Sequence, residues 1–126
     1  MSGGDEATVI AELKAALCAF NRERDWEQFH HPKDLAIALN VEAGELLEHF
    51  LWKQGEAGLD QEGLRQELAD VFITALNLAS RLDVDVASAV RDKLAFNAER
   101  YPVELARGNA LKYDALARKG DGVSDA

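Results

Sequence analysis

Two short acidic motifs are the part of this chain best suited to chemistry. They are Glu42-x-x-Glu45 and Glu67-x-x-Asp70, and they lie 25 residues apart. Carboxylates three positions apart share one face of an α-helix. If the two helices pack antiparallel, four carboxylates meet, and they repel one another strongly unless a cation lies between them. The pattern therefore predicts a metal site, and a ligand set made only of oxygen favours Mg²⁺ or Mn²⁺.

The two helices that carry the motifs are predicted to share one design. On a helical wheel each has an apolar stripe, and the acidic pair lies at the edge of that stripe. Thr74 lies on the same edge as Glu67 and Asp70. The acids are therefore expected to be partly buried, and a buried carboxylate needs a compensating partner.

Aromatic and histidine side chains form a second candidate group. Trp26 and His30 occupy a polar segment that leads into the helix of the first motif, and Trp52 lies on the acidic edge of that helix. These side chains offer the stacking surface and the hydrogen-bonding groups that a nucleobase needs. The alternative interpretation is core packing for the tryptophans and ordinary surface exposure for the histidine.

Basic side chains recur on the fourth predicted helix. Lys93, Asn97 and Arg100 follow one another at helical spacing, and Tyr101 and Lys112 come later in the chain. Because Lys and Arg neutralise phosphate oxygens, this stripe is a candidate phosphate-binding face, over which the later residues could close. The alternative is a solvated helix face.

Helical spacing of apolar residues predicts an all-α domain, with no strand-like alternation. The predicted helices span residues 7–24, 32–54, 60–82 and 86–100, and residues 103–126 are expected to be mostly extended. We expect a disordered N-terminus over 1–6, one domain over 7–113 and a flexible tail over 114–126.

Composition limits the classes of function. A net charge of −9 argues against binding to a nucleic acid polymer, which needs a basic surface. The single cysteine, Cys18, fits a reducing compartment. No apolar run is long enough to cross a membrane, and the first residues lack the pattern of a signal peptide. We therefore expect a cytoplasmic protein with no membrane partner.

Several functions are compatible with the acidic motifs. No phosphate-binding loop or nucleophile motif is present, so an enzyme of this sequence would most simply use a metal-activated water. A di-iron bundle needs Glu-x-x-His on two helices, and this chain has only Glu27-x-x-His30, in the segment before Pro32. A non-catalytic helical module that binds a nucleotide or a protein remains the main alternative.

In combination, these fragments resemble the MazG-like all-α nucleoside triphosphate pyrophosphohydrolases, and among them most of all the small dCTP pyrophosphatases. The resemblance covers about residues 20–113 and rests on the segment 22–30, the two acidic motifs, Phe50-x-Trp52, Lys93-x-x-x-Asn97-x-x-Arg100-Tyr101-Pro102-Val103, Arg107-Gly108 and Lys112-Tyr113.

The resemblance implies a four-helix fold that assembles as a dimer or a dimer of dimers. It implies Mg²⁺-dependent hydrolysis of a dNTP to the dNMP and pyrophosphate, which removes surplus or non-standard nucleotides. By position, the Mg²⁺ ligands would be Glu42, Glu45, Glu67 and Asp70, and one of the glutamates would prepare the attacking water. Trp26, His30 and Trp52 would hold the base, and Lys93, Asn97, Arg100, Tyr101 and Lys112 would meet the sugar and phosphates.

One departure from the family pattern concerns base choice. Members that prefer dCTP tend to read Ile-Tyr-Leu after the second motif, and this chain reads Ile73-Thr74-Ala75. The loss of a ring at Thr74 would widen the base pocket or change what it reads, while the phosphate chemistry would be less affected.

Overall fold

The computed structural model describes residues 4–53 and 55–120, and every regular element in these two ranges is helical. The elements are α1 (Ile10–Glu23), a short 3₁₀ helix (Glu27–Phe29), α2 (Pro32–Glu48), α3 (Gln61–Arg81), α4 (Val86–Arg100), α5 (Val103–Ala106) and α6 (Tyr113–Gly120). The all-α prediction is confirmed. The chain divides into two compact units, residues 1–85 and 86–126.

In the first unit, α2 and α3 form the most extensive helix pair. His49, at the end of α2, lies beside Gly63 in the first turn of α3, where an added Cβ would be 2.9 Å from the imidazole Cε1. Glu42, earlier in α2, lies beside Glu67 and Asp70, later in α3. The two helices are therefore antiparallel, as the acidic motifs require.

Helix α1 also runs antiparallel to α3. The Lys14 Nζ donates a hydrogen bond of 2.5 Å to the Val84 carbonyl, just beyond α3. Seven residues later, Asn21 Nδ2 donates to Asn77 Oδ1 at 3.0 Å. Because both α1 and α2 contact it, α3 is the central helix of this unit.

Local chemistry accounts for the starts of α2 and α3. Pro32 occupies the first turn of α2, where a missing N–H costs nothing, and the Asp60 carboxylate accepts a 3.1 Å hydrogen bond from Gly63 N at the start of α3. The prediction that α2 continues to residue 54 is wrong, because the helix ends at Glu48. Trp52 then takes a left-handed φ of 66°, which no α-helix can accommodate. Gln54 lies outside the described residues.

The second unit shows where the predicted pattern fails. Helix α4 has the predicted bounds, but the expected extended segment forms α5 and α6 instead. Leu116 of α6 is only 1% exposed, and α5 contacts α6. Burial of this leucine stabilises a short helix that local pattern alone does not reveal. Four helices were predicted, and six α-helices are present in the described ranges.

The structure describes only part of the two chain ends that were predicted to be disordered or flexible. Residues 4–7 form a turn in which Ala7 N donates to the Gly4 carbonyl at 2.9 Å. The proposed flexible tail begins as α6, which reaches Gly120. Residues 1–3 and 121–126 lie outside the described residues, so the predictions of disorder there stay predictions.

The hydrophobic core of the described chain is small. Its buried apolar side chains are Leu35, Leu76, Ala79 and Leu116, whereas many large apolar side chains are exposed, among them Leu47, Phe72 and Leu94 at 60% or more. An apolar surface of this extent is typical of chains that bind another protein surface. None of the helices within 4–53 and 55–120 combines the length and the apolar character needed to cross a membrane.

Candidate functional site

Three carboxylates from α2 and α3 converge in the first unit. Glu42, Glu67 and Asp70 each place one oxygen so that all three lie within 4.8 Å of one another. Antiparallel packing aligns Glu42 with the i, i+3 pair on α3, and this alignment produces the cluster. The residues thus fit one divalent cation with hard oxygen ligands.

Two of these carboxylates are unsatisfied without a cation. Glu42 Oε2 and Glu67 Oε2 are buried, and neither has a hydrogen-bond partner within the described residues. Buried polar atoms in folded proteins are almost always paired, so two orphaned oxygens at one place indicate a missing positive partner. This observation supports a metal at the cluster independently of sequence.

The surroundings of Glu42 in this cluster raise its affinity for a proton. Burial, together with a hydrogen bond to Glu45 and repulsion from Glu45, Asp70 and Glu67, raises the pKa of Glu42 from 4.5 to about 7. Ionising Glu42 adds charge to an already negative site, so the native state retains the proton until pH 7 is approached. A bound cation would instead favour the ionised form of Glu42.

Glu45 lies against Glu42 rather than within the converging triad. It is partly buried on the next turn of α2, and its hydrogen bonding and charge contribute to the raised pKa of Glu42. Of the four acids predicted as ligands, the structure therefore brings three together, with Glu45 beside the first of them.

An apolar cavity of about 540 Å³ opens between α1, α3 and the segment that joins α1 to α2. Trp26 and His30, predicted to bind a base, line it, and Phe20 meets the Trp26 ring edge to face at a centroid distance of 5.7 Å. The Arg24 guanidinium covers the Phe20 ring at 3.6 Å. The other lining residues are Leu13, Ala16, Leu17, Asn21, Ala69, Phe72, Ile73, Leu76 and Asn77.

A smaller polar cavity of about 220 Å³ shares part of this lining. Asn21, His30 and Asn77 line both cavities, and the smaller one adds Cys18, Glu27, Ser80 and Arg81. The sequence analysis overlooked the two asparagines. A signal was available, because Asn77 lies on the same edge of α3 as Asp70 and Thr74, and Asn21 interrupts the apolar spacing of α1.

Two predicted base-binding residues do not line either cavity. Trp52 is fully exposed in the turn after α2. The Thr74 hydroxyl donates to the carbonyls of its own helix at Asp70 and Val71, both at 3.0 Å. Their roles stay predictions.

The predicted phosphate-binding residues lie in the second unit. Lys93, Asn97 and Arg100 are on α4, and the charged groups of Lys93 and Arg100 lie over the Phe96 ring at 4.7 and 5.4 Å. Arg100 also covers the Tyr113 ring at 4.2 Å. Tyr101 is half-buried, and Lys112 is exposed just before α6. Aromatic contacts hold the two cations in place while leaving their N–H groups available to an anion.

Comparisons with known proteins agree with one another. Residues 37–116 match the model of the MazG-like family. The chain is 42% identical to mouse dCTP pyrophosphatase 1, an alignment that covers 86% of this chain and 68% of the relative. It is 35% identical to a dATP/dGTP diphosphohydrolase of cyanophage S-2L, over 72% of this chain and 75% of that protein. The crystal structure of a pyrophosphatase from Archaeoglobus fulgidus superposes with a TM-score of 0.70 at 29% identity, and it covers 81% of this chain and 97% of the other.

Proposed function

The chain belongs to the MazG-like family, and from that membership and the acidic cluster we propose that it is a metal-dependent nucleotide pyrophosphohydrolase. The reaction converts a dNTP to the dNMP and pyrophosphate, with dCTP or a modified dCTP as the preferred substrate. The similarity to dCTP pyrophosphatase 1 supports this choice of substrate, and the role would be to sanitise the nucleotide pool.

The observation that carries the proposal is the pair of orphaned oxygens on Glu42 and Glu67. We assign Mg²⁺, or Mn²⁺ in its place, to the site formed by Glu42, Glu67 and Asp70, with Glu45 as a further ligand or as the base beside it. The ion, when bound, would lower the pKa of water and screen the charge of the phosphates. Glu42, Glu45 and Glu67 are the candidate acceptors for the proton of the attacking water.

The remaining residues are assigned to the substrate. Trp26 and His30 would hold the base in the apolar cavity, because an aromatic wall with one polar group suits a heterocycle. Lys93, Asn97 and Arg100, with Tyr101 and Lys112, would bind the sugar and phosphates.

We propose that the active protein is a homodimer or a homotetramer. The exposed apolar side chains of both units support an assembly, because so few of the large apolar residues are buried in the single chain. Trp52 and Thr74 would then act from the assembled surface on the base. We place the protein in the cytoplasm, where a free thiol at Cys18 persists.

A di-iron oxidoreductase lacks support. The cluster that forms within the described residues contains carboxylates alone, and Glu27 and His30 line the polar cavity instead. Such centres also need histidine ligands from the helices.

The test is pyrophosphate release from the four canonical dNTPs and from modified dCTPs, each with Mg²⁺ and with EDTA. We expect release only with Mg²⁺, with the dNMP as co-product. Asp70→Asn should abolish release, whereas Glu48→Gln, an exposed change on α2 outside the cluster, should not. A folded wild-type chain that binds dNTPs and releases nothing would be the non-catalytic binding module.

A further inference from the structure

The hydrogen-bonded pair of Asn21 and Asn77 lies at the wall that the two cavities share. It connects α1 to α3 across 56 positions of sequence, and Asn21 is only 6% exposed. A buried amide is costly unless it is satisfied, so the position of this pair beside a cavity requires an explanation.

The pair leaves hydrogen-bonding capacity unused. An asparagine amide carries two donor hydrogens and an acceptor oxygen. The Asn21 Nδ2 donates to Asn77 Oδ1 at 3.0 Å, and within 4–53 and 55–120 neither side chain makes another hydrogen bond. Neither amide is among the fully enclosed, unpaired groups, so the free atoms are accessible, and both residues line both cavities. The pair therefore offers an acceptor, Asn21 Oδ1, and a donor, Asn77 Nδ2.

The surroundings restrict what could use these groups. Nine of the twelve residues that line the larger cavity are apolar or aromatic, and the other three are Asn21, His30 and Asn77. Trp26 lines the same cavity and contributes aromatic surface to it. A ligand that fits is flat and apolar on its faces, and carries a hydrogen-bond donor next to an acceptor on one edge.

We propose that the Asn21–Asn77 pair reads the edge of the nucleobase and sets base preference, an inference that rests on the proposed function. Asn21 Oδ1 accepts from an exocyclic amino group, and Asn77 Nδ2 donates to the adjacent ring nitrogen. On their Watson–Crick edges cytosine and adenine present that arrangement, whereas thymine and guanine place a carbonyl where the amino group would be and a ring N–H where the acceptor nitrogen would be. The pair thus selects cytosine and adenine over thymine and guanine.

Asn77→Asp is the most informative variant. The aspartate keeps an oxygen to accept from Asn21 Nδ2, so the contact between α1 and α3 is retained while the outward donor is lost. The measurement is kcat/KM for all four dNTPs, expressed as the ratio of dCTP and dATP to dTTP and dGTP. We expect wild type to favour dCTP and dATP. We expect this ratio to fall about 10-fold or more in Asn77→Asp and in Asn21→Ala.

A purely structural pair would behave differently. Its loss would lower stability and turnover for every dNTP alike and would leave the ratio unchanged. Lys14→Ala is the matched control, because it removes another hydrogen bond between α1 and the end of α3 without touching either cavity. We expect this variant to lower the melting temperature and to keep the wild-type ratio.

Calorimetric binding of the four dNTPs in EDTA separates the two proposals. Wild type that binds with the expected preference but releases no pyrophosphate would overturn the proposed function. In that case, loss of the preference in Asn77→Asp would still support the role of the asparagine pair in base choice. Wild type that hydrolyses dNTPs with an unchanged ratio in both asparagine variants would overturn this inference alone, as would a wild-type preference for dTTP or dGTP. A chain that neither binds nor hydrolyses any dNTP overturns both.

Discussion

Glu42→Gln should make the metal-free protein more stable while removing its activity. The glutamine has the shape of the protonated glutamate and cannot ionise. In the native state the pKa of Glu42 is raised from 4.5 to about 7 by burial, by the hydrogen bond to Glu45 and by the charges of Glu45, Asp70 and Glu67. The variant removes the cost of ionising this carboxyl and, with it, one ligand of the cation.

The magnitude follows from linkage. Between pH 4.5 and about 7 the native state holds a proton that the unfolded chain has released, so the wild-type free energy of unfolding falls as pH rises across this window. The full difference between the two pKa values corresponds to about 3 kcal/mol. Asp70 is exposed, so solvent screens its part of the repulsion, and we expect about 1–3 kcal/mol above pH 7.

The assay is urea unfolding of wild type and Glu42→Gln in EDTA at pH 4.5 and pH 8. The two should have similar stability at pH 4.5, and the variant should be the more stable at pH 8. Added Mg²⁺ should stabilise wild type and leave the variant unchanged. Glu48→Gln serves as the control on the same helix, and we expect no change. Equal stabilities of wild type and Glu42→Gln at pH 8 in EDTA would refute the argument that this carboxylate is held under strain.

Three further predictions concern the cation, the base and the tail. Because Mg²⁺ needs ionised Glu42, its apparent affinity measured by calorimetry should be about 10-fold weaker at pH 6 than at pH 8, and an affinity independent of pH would contradict the assignment. Trp26→Ala should raise KM for dNTPs about 10-fold or more with a smaller effect on kcat, since base stacking contributes about 1–3 kcal/mol, and an unchanged KM would place the base elsewhere. Leu116→Ala should lower the free energy of unfolding by about 2–5 kcal/mol in urea, because this side chain is the most buried in the described chain, whereas Leu111→Ala, at a side chain 40% exposed, should cost much less.

Sequence reasoning succeeded where the signal was local to one helix. Apolar spacing and the residues at the helix ends predicted α3 and α4 to within a residue at each end, and i, i+3 spacing placed Glu67 and Asp70 on one face of α3, where both join the acidic cluster. It failed where tertiary contacts decide. Helix α6 is short and depends on the burial of Leu116, which the local pattern did not reveal. Helix α2 ends at Glu48, and the chain then turns through the left-handed residue Trp52.

The asparagine pair shows the same limit at the candidate site. Helical-wheel analysis treats each helix separately, so it can place Asn77 on an edge but cannot show that Asn21 meets it from α1. Polar residues at the edge of an apolar stripe occur on most surface helices, and only the meeting of two of them beside a cavity distinguishes this pair.

The helix pair that builds the acidic cluster also holds it under electrostatic strain. The packing of α2 on α3, the most extensive in the first unit, fixes three carboxylate oxygens within 4.8 Å although they repel one another. The affinity of the cluster for the proposed cation would therefore depend on that packing as well as on the carboxylates themselves. An apolar substitution that loosens the α2–α3 contact would let the carboxylates separate, which would lower the pKa of Glu42 toward its ordinary value and weaken Mg²⁺ binding together. This coupling explains why the site is built on two long helices, where the interface can offset the repulsion, and not on a loop, which would relax.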